Sequence, residues 1–217
     1  MMFDKIFPKI HQEGYKFLAI SVVLTLILWS ISNFFGFIFI LITIWVYYFF
    51  RDPERTIIED DNYLVSPADG LITTIKEEMG PIEMGLEKKN FIKVSIFMNV
   101  FDCHVNRTPF SGKIEDIFYK PGKFLNASLD KASKENERNY FKIKNIKTNE
   151  EIIVVQIAGL IARRIVTQVQ KNQDLKQGER IGMIRFGSRV DLYFNKRKVM
   201  VKVGQNVIAG ESLIAGL

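Results

Sequence analysis

The sequence is poor in the residues that ordinarily build metal and redox sites. Among 217 residues there is one cysteine, Cys103, and there are two histidines, His11 and His104. A lone cysteine excludes an intramolecular disulfide framework and any multi-cysteine metal site. Two histidines so distant in sequence argue against zinc, so no metal is expected. Six prolines and fourteen glycines are too few for a collagenous or low-complexity chain. Charge is missing altogether from one stretch: the 34 residues from Phe17 to Phe50 contain no Asp, Glu, Lys, Arg or His.

One helix crosses the hydrocarbon of a bilayer with about 20 residues, so this block is too long for a single crossing without strong tilt. Two closely spaced crossings fit better, about 17–31 and 34–50, turning at Ser32-Asn33. Each half is slightly short, which keeps a shallow re-entrant hairpin as an alternative. Trp29, Trp45, Tyr47 and Tyr48 suit the headgroup level. Lys5, Lys9 and Lys16 precede the block, and Arg51 and Arg55 follow it. Positive flanks at both ends predict a hairpin with both termini in the cytoplasm. A cleaved signal peptide would have an apolar core of only about 7–15 residues. Residues 1–50 are therefore expected to be a retained anchor in the cell (inner) membrane, with residues 51–217 on the cytoplasmic side.

Hydrophobic residues make up 47% of the chain, which excludes a disordered protein. The formal net charge is +6, of which +5 falls on residues 51–217. Such an excess suits either nucleic acid or an anionic membrane. The basic residues are not interleaved with aromatics along one face, so no nucleic-acid partner is expected.

Residues 51–217 read mostly as β. Leu64-Val65 and Leu71–Ile75 flank the turn Ser66-Pro67-Ala68-Asp69-Gly70. Phe91–Asn99 and Lys113–Tyr119 alternate for much of their length. Glu151–Ala158 is apolar through its middle, like a strand buried on both faces. Leu160–Gln170 fits a short helix or a strand, and Asp130–Arg138 reads as a charged loop. Near the C-terminus, Val201–Glu211 has glycines six residues apart around an apolar pair, and Gln177–Gly182 echoes it. Such units occur in lipoyl- and biotinyl-type β-sandwiches, where each glycine permits a tight turn. The expected fold is mainly β (α+β), a lipoyl/biotinyl-like sandwich behind a helical membrane hairpin.

Candidate chemistry centres on Arg185-Phe186-Gly187-Ser188-Arg189-Val190-Asp191. In an arbitrary protein this is a turn between the strands Arg180–Ile184 and Val190–Phe194. The sharper reading is a self-cleavage site. Gly187 leaves its carbonyl sterically open, and the Ser188 hydroxyl can attack it to convert the amide into an ester. Elimination then leaves dehydroalanine, and hydrolysis a pyruvoyl group. His104 is the only histidine after residue 50, and its near-neutral pKa class suits proton transfer. Asp69, in a Pro-Ala-Asp-Gly turn, ordinarily bonds its own backbone. Were the 102–104 segment extended, Cys103 would point away from His104, and Asp102 would share its face.

Six segments in order carry a resemblance over nearly the whole chain. They are Tyr48–Arg55, Ser66–Gly70, Asp102–Arg107, Pro121–Phe124 with the stretch through Asn136-Glu137-Arg138-Asn139, Ile157–Ile165, and Phe186–Asp191. Together they make the chain resemble short bacterial phosphatidylserine decarboxylases. The resemblance implies a proenzyme that cuts itself at Gly187-Ser188 into a β chain, 1–187, and an α chain, 188–217, which stay together as a heterodimer. Ser188 would become the pyruvoyl cofactor, which forms a Schiff base with phosphatidylserine in the membrane and yields phosphatidylethanolamine. It implies His104 as proton donor and Asp69 as the carboxylate that orients a histidine or assists self-cleavage, ranked above Asp102. Longer members carry a second histidine here, where this chain has Asn106-Arg107. Arg163, Arg164, Arg185 and Arg189 are candidates for phosphate or carboxylate contacts. The alternatives are a membrane-anchored lipoyl-like carrier, for which Asp130-Lys131-Ala132 is a superficial match, and the same chemistry on a related serine lipid.

Overall fold

The structure, a computed structural model, describes residues 7–122, 135–146, 148–159, 164–185 and 188–217. It divides into two compact units, residues 1–54 with 101–103 and residues 55–100 with 104–217.

The first unit is built on two antiparallel helices, α1 (Tyr15–Ile31) and α2 (Asn33–Phe49). Ser32 separates them with an extended backbone (φ −158°, ψ 132°). Together with the 3-10 turn at its start, the first helix runs Gln12–Ile31, long and apolar enough to cross a membrane. Gly36 allows a close approach, since a Cβ there would stand 2.7 Å from the Trp29 ring. Deeper in the pair, the Thr25 hydroxyl lies 2.9 Å from that of Thr43, a polar tie between otherwise apolar surfaces.

The second unit is mainly β, as its alternating segments predict. Its strands are β1 (Tyr63–Val65), β2 (Gly70–Met79), β3 (Asn90–Met98), β4 (Val105–Arg107), β5 (Gly112–Lys120), β6 (Arg138–Lys144) and β7 (Glu151–Ala158). They continue with β8 (Arg164–Thr167), β9 (Asp174–Leu175), β10 (Arg180–Arg185), β11 (Ser188–Phe194), β12 (Lys198–Val199), β13 (Asn206–Val207) and β14 (Leu213–Gly216). An eight-stranded antiparallel sheet has the order β13-β2-β3-β11-β7-β6-β5-β9. Two three-stranded sheets, β4-β10-β8 and β1-β14-β12, accompany it.

Strand alternation sorts the side chains of the large sheet between two faces. Val190, Leu192 and Phe194 of β11 join Ile96, Met98, Val154 and Ala158 in the main core. Tyr193 joins Phe91, Tyr140, Ile153, Val155 and Ile157 in a second cluster on the other face. Burial on both faces explains why β7 reads as apolar through its middle.

Three expectations are refined. Arg180–Ile184 and Val190–Phe194 are strands, but they do not pair across a turn. The first lies in the sheet with β4 and β8, the second between β3 and β7. Secondly, of the two readings open for Leu160–Gln170 the strand is the one found, as β8 over Arg164–Thr167. Thirdly, the glycines of the C-terminal echo differ in use. Gly178, Gly204 and Gly210 take positive φ (77°, 87° and 79°) as turns require, whereas Gly182 lies inside β10. The Asp130–Arg138 loop falls outside the described residues up to 134, and Arg138 itself opens β6.

Candidate active site

Ser188 is the first residue of β11, at the middle of the large sheet. It stands opposite Met98 of β3 on one side and Ala158 of β7 on the other. By alternation its side chain shares the face of Val190 and Leu192, toward the main core. It is fully buried, and its Oγ has no hydrogen-bond partner among the described residues. A buried hydroxyl without a partner is uncommon, and among the described residues nothing competes for its lone pairs. Phe186 and Gly187 lie outside the described residues. Arg185 ends a strand of one sheet and Ser188 begins a strand of another.

His104 is fully buried just before β4. Its carbonyl accepts from Ile184 N–H at 3.3 Å, which fixes it to the end of β10 that leads toward residue 188. Residues 101–104 are irregular, and extended pairing starts only at Val105. Strand alternation therefore does not govern Asp102, Cys103 and His104, and the face-sharing expectation for Asp102 loses its premise. The buried Cys103 thiol donates to the Arg51 carbonyl at 3.3 Å.

Asp69 is nearly buried, and both its oxygens are engaged. Oδ2 accepts from Arg55 Nη2 at 2.7 Å and Oδ1 from Ala209 N–H at 2.8 Å. The carboxylate thus meets a guanidinium and a backbone amide rather than an imidazole. Gly70 beside it, with φ +144°, packs so tightly on β3 that a Cβ would stand 2.2 Å from the Phe97 carbonyl oxygen. Since β3 separates β2 from β11, Asp69 lies two strands from Ser188, about 10 Å by interstrand spacing.

The candidate arginines part company. Arg163 lies outside the described residues. Arg164 and Arg185 stand directly opposite each other on β8 and β10. Burial pulls the Arg185 guanidinium below its ordinary pKa. Arg189 turns to the other face of the sheet, where its Nε and Nη2 each lie 2.9 Å from the Asp191 carboxylate.

Several polar residues of this region carry no role from the sequence reading. The Glu137 carbonyl accepts from Ala158 N–H (3.0 Å), and Asn136 Nδ2 donates to the Ala158 carbonyl (2.6 Å). Glu137 Oε1 accepts from Tyr119 Oη at 3.1 Å and Ile165 N–H at 3.3 Å. Asn106 and Gln156, both fully buried, bond to each other. Their signal in the sequence is a polar residue at a core-facing position of an apolar strand, as Gln156 is in Glu151–Ala158.

A cavity of about 310 Å³ opens on the opposite face of the sheet, against Tyr140, Val155, Ile157 and Tyr193. Burial raises both tyrosine pKa values. Its charges are met internally, with Lys93 on Glu78, Lys120 and Arg138 on Glu83, and Asp191 on Arg189. That leaves little to recognise a charged headgroup. Among the described residues no three His, Cys, Asp or Glu side chains gather in a way that could hold a metal ion. Asp130-Lys131-Ala132 lies outside them.

A sequence profile described as phosphatidylserine decarboxylase matches residues 42–215. The chain is similar to the phosphatidylserine decarboxylase proenzyme of Pelagibacter ubique (strain HTCC1062), 66% identical over 214 residues, covering 99% of both chains. It is 48% identical over 217 residues to the proenzyme of that name from Ruegeria pomeroyi, covering 100% of this chain and 99% of the relative. A third, from Azorhizobium caulinodans, is 51% identical over 207 residues, 95% of this chain and 88% of the relative.

Proposed function

The chain belongs to the phosphatidylserine decarboxylase family and is a carboxy-lyase, and from that premise we propose that it converts phosphatidylserine to phosphatidylethanolamine at residue 188 after cutting itself at Gly187-Ser188. The observation that carries this reading is the buried hydroxyl of Ser188 at the head of the central strand, which has no partner among the described residues.

In the proposed self-cleavage, Ser188 Oγ bonds to the Gly187 carbonyl carbon as its own proton leaves to a base. The Gly187–Ser188 C–N bond breaks, and the nitrogen takes up a proton. Removal of the Ser188 Cα proton then expels Gly187 as a carboxylate from Cβ, leaving dehydroalanine. Water converts its imine tautomer to the pyruvoyl ketone with release of ammonia. The residues fit such a group, because it would replace a side chain already enclosed between Met98 and Ala158. The pyruvoyl supplies a carbonyl that captures the substrate amine and takes up the electron pair released with carbon dioxide.

The remaining roles belong to this chain's other side chains. His104, fixed to the end of β10, is the proposed proton donor to the carbon that loses carbon dioxide. Asp69, locked by Arg55 and Ala209, holds the turn beneath β13 and β2, and its negative charge is the proposed support for self-cleavage. Arg164 and Arg185 are the proposed contacts for the anionic headgroup. The helical hairpin is the proposed membrane anchor, with the β unit on the cytoplasmic side and its net positive charge favouring anionic lipid.

Electrophoresis of the purified chain under denaturing conditions, with mass spectrometry, tests the reading. Fragments of residues 1–187 and 188–217 are expected, the smaller one starting with pyruvoyl. Ser188→Ala should stay intact and form no phosphatidylethanolamine. Normal turnover by an uncut chain would overturn the proposal.

A further inference from the structure

A group of buried amides lies between the two sheets beside Ser188. Asn106, Gln156 and Asn139 are each at most 1% exposed. Asn106 of β4 and Thr167 of β8 both stand opposite Gly182 of β10, so one cross-strand row carries an amide, a gap and a hydroxyl. The gap is occupied from the facing sheet, since a Cβ on Gly182 would stand 3.2 Å from Gln156 Nε2. Through it Gln156 Nε2 donates to Asn106 Oδ1 at 2.8 Å. Asn139 Nδ2 closes the set, 3.3 Å from Gln156 Oε1 and 3.0 Å from Thr167 Oγ1.

Register places this group over residue 188. Met98 and Gln156 belong to the two strands that flank β11, opposite Ser188 and Val190 respectively. Asn106 touches both, with Nδ2 3.6 Å from Met98 Sδ, so its carboxamide spans β11 at the level of Ser188 and Val190. A carboxamide has two N–H donors, and a thioether is a weak acceptor. Among the described residues Asn106 Nδ2 bonds to no oxygen or nitrogen, and Ser188 Oγ, buried on the same face, has no partner either. A donor held only by a weak sulfur acceptor and a hydroxyl with no partner among the described residues, in one dry region, call for a common explanation.

Building on the decarboxylase reading, we propose that Asn106 is the donor that orients Ser188 Oγ for self-cleavage, and that Gln156 is a positioning residue that holds Asn106 for it. The Asn106 N–H donates to one Oγ lone pair and takes no proton. The second lone pair is left for the Gly187 carbonyl carbon, and the hydroxyl proton for the base. Gln156 contributes only by fixing the Asn106 oxygen, which sets the amide so that its nitrogen faces β11.

The test follows self-cleavage of the full-length chain over time by denaturing electrophoresis, with a thermal midpoint taken separately. Asn106→Asp keeps the oxygen that Gln156 binds and removes the N–H donor. It is expected to cleave at least tenfold more slowly at pH 8 and to recover part of the rate as pH falls, because a protonated carboxyl again donates. Gln156→Met is expected to slow cleavage as well, without that pH recovery. A purely structural role would lower the thermal midpoint and leave the pH profile of wild type. Wild-type cleavage by Asn106→Asp at pH 8, or slow cleavage that no pH restores, overturns the inference. Should Asn106→Asp not fold, Gln156→Met decides, and a wild-type rate there overturns it. An uncut wild type would instead remove the decarboxylase reading underneath.

Discussion

At the scale of single residues, the pairing of Asp69 with Arg55 separates two roles that are easily confused. The two side chains are only 13% and 12% exposed, so removing one leaves the other short of a partner where water enters poorly. Asp69→Ala also strips the Ala209 N–H of its acceptor. Breaking a largely buried ion pair from one side costs about 3–5 kcal/mol, and this partial exposure reduces that to about 2–4 kcal/mol. Asp69→Asn keeps the acceptor for Ala209 and should cost about half as much. Urea unfolding of both variants in the uncut Ser188→Ala background measures this without interference from cleavage. Equal stability of the two would show that the Ala209 bond contributes nothing. A loss of self-cleavage in Asp69→Asn that exceeds its loss of stability would assign Asp69 to the chemistry.

At the scale of elements, the long strands were legible and the pairing between sheets was not. Phe91–Asn99 and Glu151–Ala158 coincide with β3 and β7 to within a residue, because alternation or continuous apolarity persists over eight or nine positions. Strands of two to four residues, such as β4, β8, β9 and β13, are too short to show a period. The separation of β10 from β11 depends on partners far away in sequence, at β4 and β3. Within the site, Ser188, His104 and Asp69 stood out through the resemblance, whereas Gln156 was read past as part of an apolar run. The loop after β2 makes an element-level prediction. Its Glu83 lies 2.9 Å from Lys120 and 3.3 Å from Arg138. Burial raises the Glu83 pKa, but the Lys120 bond, its backbone bond and the charges of Arg138 and Lys120 outweigh it and leave it below the ordinary 4.5. A carboxyl depressed in the folded state stabilises above its unfolded pKa and loses that contribution as pH falls through the folded value. Wild type should therefore exceed Glu83→Gln in urea midpoint at pH 6, and the gap should close as pH falls below about 4.5. A gap that stays constant from pH 6 to pH 3 would contradict the ionic role.

At the scale of the whole molecule, the proposed cut divides the chain without dividing the fold. Residues 188–217 supply β11, which pairs with β3 and β7 along its length. The same 30 residues supply β13, which pairs with β2 at the edge of the large sheet, and β12 and β14 in the sheet with β1. Val190, Leu192, Phe194, Val207 and Ile214 are at most 2% exposed within the core. Each such side chain stabilises its burial by about 1.5–3 kcal/mol, before any ladder hydrogen bond is counted. Seven residues at the centre of a sheet cannot leave without opening it on both sides, so after the proposed cut residues 188–217 are expected to stay with the fold. After self-cleavage the two fragments should elute together from gel filtration in mild detergent, at low salt and at 1 M salt alike, since apolar contacts and backbone bonds are not screened. They should separate only in the denaturant range that unfolds the β unit. Loss of residues 188–217 on simple dilution would mean that the cut loosens β11 from its neighbours, and that the carbonyl at its head lacks the enclosure between Met98 and Ala158 on which the proposed decarboxylation relies.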